Sequence, residues 1–251
     1  MIDDNTSQLL RTLATRYETS AFIDGDPSWW MHQVYHTDNQ ESIAFIASAL
    51  SYGSRAQFMP KIGLILSQSG GEVARWVGDG SYKDLFSPND NSSYYRLYSH
   101  STMYTFLDAY RQLLLQHGTL GGYLRCCGDG TGLKAVELIC QWFATHGQSP
   151  VVPHDTSSAC KRLCMFLRWM VRDNSPVDLG LWSDFIDKRT LVMPLDTHVV
   201  SQSIRLGLLQ SRCASMRAAL RLTAIMSEIF PDDPLRGDFA LFGYGVNSTT
   251  A

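Results

Sequence analysis

Apolar residues recur in this chain at three- and four-residue intervals over most of its length, and strict alternation bounded by hairpin turns is scarce. Helical side chains share a face at that spacing while strand side chains alternate, so the fold class it dictates is all-α. The periodicity predicts helices over about 5–17, 41–52, 55–69, 101–117, 132–146, 157–172, 197–206, 214–229 and 235–242. Between them run loops rich in turn formers, such as GDGSYKDLFSPNDNSS and CCGDGTG. The segment ESIAFIASAL is apolar on nearly every side, as a helix at the centre of a bundle must be. It breaks at Ser51-Tyr52-Gly53-Ser54-Arg55, a polar turn of the kind that brings a core element to a surface or cleft, which makes Tyr52 and Arg55 candidate contact residues.

With 251 residues, 45% hydrophobic and 18% charged, the chain can bury a substantial core. One domain over 1–251 is expected, with lobes of about 1–40 plus 155–251 and of 41–154; THGQSPVVPHDT is the candidate boundary. The start, MIDDNTSQLL, is acidic and polar where a signal peptide is basic and then apolar. No apolar run approaches the roughly 18 residues of a membrane span, so a cytoplasmic protein with no membrane partner is expected. Six cysteines, at 126, 127, 140, 160, 164 and 213, match neither paired zinc ligands nor an iron–sulfur loop. Reduced, buried thiols are expected, and no metal or cofactor.

A net charge of −3 argues against coating nucleic acid by bulk electrostatics. The distribution is uneven, however. Between Asp155 and Leu222 stand ten Lys or Arg against six Asp and no Glu, a local charge of +4 that leaves −7 elsewhere.

Two landmarks fall in that segment. Asp155, Thr156 or Ser157 can cap a following helix whose Leu163, Phe166, Leu167 and Met170 make one apolar stripe. Lys161, Arg168 and Arg172 then share a narrow sector on the opposite side, so all three are expected to face outward, as a solvated row or as the cationic wall of a cleft. Further on, Leu191-Val192-Met193-Pro194-Leu195 leads, extended before the proline, to Asp196, which sits where it can cap a helix from Thr197 to Leu206 that ends at Gly207. A carboxylate there accepts backbone N–H bonds, which fixes its direction.

Pro194-Leu195-Asp196-Thr197-His198-Val199, followed by Arg205-Leu206-Gly207-Leu208, resembles the P-V-D-T-H-V and R-L-G-L stretch of the endonuclease III-like helix-hairpin-helix DNA glycosylases. Over about residues 20–246 the chain also looks like a bacterial family of unknown function related to them, judging from SSACKRLCMFLRWMVR, VDLGLW, LVMPLDTHV and DPLRGDFALFGYGV. IASALSYGSRAQFMPKI resembles the early superfamily helix whose end approaches DNA. The resemblance implies two helical lobes with a cleft between them, an essential carboxylate at Asp196 and a nucleophilic amine at Lys161. It implies a base-excision glycosylase with AP-lyase activity, acting as a monomer on duplex DNA with a damaged base. The 35-residue spacing from Lys161 to Asp196 is closer to the archaeal 8-oxoguanine glycosylases, which points to an oxidised purine. An insertion containing Trp182 accounts for it. The chain departs from the pattern in VVPHDTSSACKRL, which lacks the glycines of the phosphate-gripping hairpin, and it has no four-cysteine loop.

Cleaving an N-glycosidic bond builds positive charge on the sugar, and a fixed carboxylate near C1′ stabilises it. A lysine attacking C1′ must first be neutral, which neighbouring cations such as Arg168 are expected to favour. The displaced base needs an aromatic or apolar pocket, for which Trp169, Trp182, Phe239 and Phe242 are candidates beside a core role. His198 follows Asp196 too closely to share a metal with it and is expected to pack or to hydrogen-bond to the loop; its place beside Asp196 also makes it a candidate substrate contact. Two other functions fit the same residues: a non-catalytic nucleic-acid-binding protein of this fold, and a nucleoside-type hydrolase.

Overall fold

The computed structural model describes residues 2–147 and 149–248, with no account of the side chains of 247 and 248. Among the described residues the chain is mostly helical, with one two-stranded sheet. None of these helices is long and apolar enough to cross a membrane. The described residues form two compact units. One takes the chain up to Asp24, Gly130–Leu133 and everything from Thr156; the other takes Gly25–Asp129 and Lys134–Asp155. Residues 25–40, expected with the C-terminal part, belong to the second unit, because the 3-10 turn Pro27–His32 packs on the helix that follows it.

That second unit holds α2 (Thr37–Leu50), α3 (Arg55–Ser69), α4 (Val73–Gly78), the hairpin β1 (Ser93–Tyr95) and β2 (Tyr98–Ser99), α5 (His100–His117), α6 (Leu120–Cys127) and most of α7 (Gly132–His146). The nearly all-apolar α2 is its centre: Phe45 sets its ring 5.0 Å from Tyr110, 5.6 Å from Phe106 and 5.4 Å from Phe143. Glu41, buried on the same helix, accepts the backbone N–H groups of Leu120 and Gly121 at 2.6 and 3.0 Å. A carboxylate is well suited to those first-turn donors, which have no partner inside α6.

The first unit holds α1 (Asp4–Tyr17), α8 (Lys161–Val171), α9 (Thr197–Arg205), α10 (Met216–Ile229) and α11 (Arg236–Ser248). Its α11 packs against α1 and α9 and runs past the expected end at 242 through Gly243 and Gly245. Glycine inside a helix costs about 1 kcal/mol relative to alanine. Here it admits the neighbours: a Cβ at Gly243 would strike the Tyr17 ring, and one at Gly245 would lie 2.9 Å from the His198 Cβ.

The cysteines divide. Cys140, Cys160 and Cys164 are buried free thiols, as expected, whereas Cys126, Cys127 and Cys213 are exposed, because the end of α6 and the loop before α10 lie on the surface.

Candidate functional site

Lys161 opens α8. The helix was expected from 157, but Cys160 adopts a left-handed conformation, φ 43° and ψ 38°, that no helix can include, so helical geometry starts one residue later. Residues 157–159 are not helical, and they are held by the Ala159 N–H, which donates to the Ala214 carbonyl at 3.2 Å, and by a bridge between Ser158 and Ser215. The lysine therefore stands at a helix's first position on an anchored backbone.

Asp196 is positioned from the other side. Leu191 to Leu195 are all buried, which fixes the extended approach, and the Met193 N–H donates to Thr223 Oγ1 on α10 at 2.9 Å. Asp196 then caps α9, its Oδ1 accepting the Val199 N–H at 2.7 Å. With that oxygen occupied, Oδ2 lies 3.9 Å from the Lys161 Nζ. The lysine side chain is 37% exposed and the aspartate 10%, so the amine reaches solvent while the carboxylate is held nearly inside. Two residues 35 apart in the chain are thus brought together, an amine and a carboxylate in ion-pair contact.

Arg168 and Arg172 do not share that face. The expectation that they point outward with Lys161 is corrected: both are buried, 3% and 1% exposed. Arg168 donates through Nε to Asp178 at 3.2 Å and through Nη1 to Asp238, and its guanidinium lies 4.4 Å from the Phe239 ring. Arg172 donates to both oxygens of Asp233 at 2.9 and 3.1 Å, to Glu18 at 2.5 Å and to Asp178. Arg236 joins the chain through Glu18 at 3.1 Å. The polar side of α8 is covered by α11, the end of α1 and the segment 173–180, and buried charge persists only because each guanidinium meets carboxylates. Neither arginine is available to a substrate, nor does either sit as a free cation beside Lys161.

The aromatic candidates also turn inward. Trp169 and Phe239 are fully buried, and Trp182, 3% exposed, sets its ring edge-on to Phe166 at 5.2 Å while its backbone N–H donates to Met170. Trp182 pins the 173–190 segment to α8 and offers no face for a displaced base. His198 and Phe242 are half-buried and pack edge to face at 5.8 Å, across the close approach of α9 and α11. In the other unit, half-exposed Tyr52 gives its carbonyl to the Tyr95 hydroxyl and its ring face to Arg96 at 4.9 Å, and Arg55 pairs with Asp26 at 3.2 Å.

One residue near the pair escaped sequence reasoning. Asp238, in the first turn of α11, is buried beside Arg168 and close enough to feel the charge of Asp196. Burial pushes its carboxyl up to about 6; the charge of Asp196 adds to the rise and Arg168 opposes it. The only signal in the sequence was a surplus of Asp near two arginines that later prove internal, which periodicity cannot assign.

No curated protein and no solved structure gave a match to the chain. A family model described as a protein of unknown function, DUF2400, matches residues 26–247. That span takes in the whole of α2 to α10 and nearly all of α11, and the chain belongs to this family of unknown function.

Proposed function

We propose that the chain is a DNA base-excision glycosylase with AP-lyase activity, of the helix-hairpin-helix kind. The observation that carries the reading is the Lys161 Nζ held 3.9 Å from Asp196 Oδ2, with the amine open to solvent. The mostly helical fold and the resemblance around Pro194–Leu208 agree with it.

In this mechanism Asp196 faces the sugar and stabilises the positive charge that grows at C1′ as the N-glycosidic bond breaks. The Lys161 amine, having given up its proton, places its electron pair on C1′, and the base leaves with the electrons of the broken bond and takes up a proton. Opening of the sugar ring yields an imine between Nζ and C1′. Loss of a proton from C2′ then expels the 3′ phosphate, cutting the strand.

Borohydride reduces such an imine to a stable amine, so trapping on abasic and 8-oxoguanine duplexes tests the proposal. An adduct from the wild type that vanishes in Lys161→Ala is expected. With Asp196→Asn the rate should fall by about 10²–10³, the effect typical of removing one electrostatic stabiliser. No adduct on either duplex, or one that survives Lys161→Ala, overturns the reading.

A further inference from the structure

The first unit carries a groove of about 550 Å³ whose charge sets it apart. Thr156, Ser157, Arg217 and Arg221 line it together with apolar Leu209 and Met216, and no Asp or Glu does. Two other grooves mix acids with their cations. Glu72, Asp79 and Asp84 line one beside Arg75, and Asp173, Asp184 and Asp187 line the other beside Lys188 and Arg189.

The bias extends along the chain around the groove. Segments 156–162 and 197–222 together hold Lys161, Arg162, Arg205, Arg212, Arg217 and Arg221 and not one acidic residue, in a protein whose net charge is −3. Arg217 and Arg221 are exposed on α10 at i and i+4, one turn apart on one face, and neither forms an ion pair among the described residues. Compare Arg168 and Arg172, also at i and i+4, which carboxylates consume entirely. Two exposed arginines on one helix face, left without acids beside the groove, have a stated complement: a polyanion with regularly spaced charges.

The groove is also tied to the reactive lysine. Thr156 and Ser157, in its lining, lead through Ser158 and Ala159, which are bonded to Ser215 and Ala214, to Lys161. A polyanion in the groove therefore runs beside the chain that presents the amine.

We propose that this groove binds the phosphodiester backbone of duplex DNA through Arg217 and Arg221, a contact that arginine side chains supply in a chain lacking the glycine hairpin. The inference rests on the function proposed above, extending it from the reacting sugar to the strand that carries it.

Fluorescence anisotropy with a duplex containing a tetrahydrofuran abasic analogue measures the contact without any chemistry at C1′. For wild type, Arg217→Gln/Arg221→Gln and Arg217→Lys/Arg221→Lys, log Kd is followed against log salt. Losing two phosphate contacts should reduce the slope by about 2, from roughly 0.9 per phosphate on B-DNA. The lysine pair should keep most of the slope, since both charges remain. An unchanged slope in the glutamine pair overturns the proposal, as does absence of any wild-type binding at low salt. If the glutamine pair alters sedimentation of the free protein but not DNA binding, the groove covers a second copy and the proposal falls. Trapping of wild type and Lys161→Ala on an abasic trinucleotide, too short to fill the groove, judges the lysine chemistry separately. Its failure with an intact slope change would sink the lyase reading and leave the groove standing.

Discussion

Two ends of one helix treat their cations in opposite ways. At the start of α8, Lys161 has a single carboxylate at 3.9 Å and remains 37% exposed. Two and three turns on, Arg168 and Arg172 are buried and share Asp178, Asp233, Asp238 and Glu18. A lysine is a compact charge on a flexible stem that can lose its proton; a guanidinium is permanently charged and forks toward two carboxylates at once. The first arrangement leaves an amine open to solvent, and the second locks elements together. The lesson is that one polar sector of one helix divides into an exposed end and a structural end, according to what packs over it.

The comparison breaks most readily at the structural end. Removing Arg172 takes a partner from three carboxylates, Asp178, Asp233 and Glu18, and breaking a buried pair costs about 3–5 kcal/mol. Arg172→Ala should therefore lose most of the stability measured by urea unfolding; a change under about 1 kcal/mol, the range of an exposed pair, would show that the network is not structural.

Asp238 joins the two ends, and its carboxyl, pushed up to about 6 from 3.8, makes a pH test. A group whose folded pKa is raised binds its proton more tightly when folded. Its contribution is full below about pH 4, from the ordinary carboxylate value, and is lost as pH rises through 6. The wild type should lose up to about 3 kcal/mol between pH 4 and 7 from this group, the equivalent of the shift at 1.36 kcal/mol per pH unit. Asp238→Asn should flatten that dependence in melting curves; an unaltered slope would assign the titration elsewhere.

Smaller effects sharpen the exposed end. Asp196→Ala removes the cap of α9 and should cost about 1 kcal/mol, whereas Asp196→Asn keeps a capping oxygen and should cost little. A large loss from the asparagine variant would mean that the negative charge itself holds the fold. Lys161→Ala should change stability least, by under about 1 kcal/mol, because the pair it breaks is partly exposed. Calorimetry on the two variants, beside their trapping yields, separates a structural from a chemical loss.

Much of the secondary structure was legible because long amphipathic helices repeat their own signal: α3, α5, α7 and α10 lie within two residues of their expected limits. What escaped lacked that signal. Six-residue α4 is too short to show a period, and α6, opening with Gly121 and Gly122, depends on Glu41 to satisfy its first N–H groups from 79 and 80 positions away. Arg168 and Arg172 were misassigned for a related reason: their sector on the helix was read correctly, but what covers that sector is a tertiary matter. Trp182 entered as a candidate for the base pocket and is a peg that fastens its own segment to Phe166.

By itself the sequence determined the all-α class, the stripe that buries one side of α8 and the cap that orients Asp196, because each is set by neighbours within a turn or two. Tertiary structure alone decided that the Lys161 amine meets the Asp196 carboxylate, that the remaining cations of the helix turn into a buried network, and that Asp238 stands behind them. Those facts depend on which distant segments cover a helix face, and the favourable energy of an arginine among carboxylates exists only once α1, α11 and the 173–180 segment have closed over it.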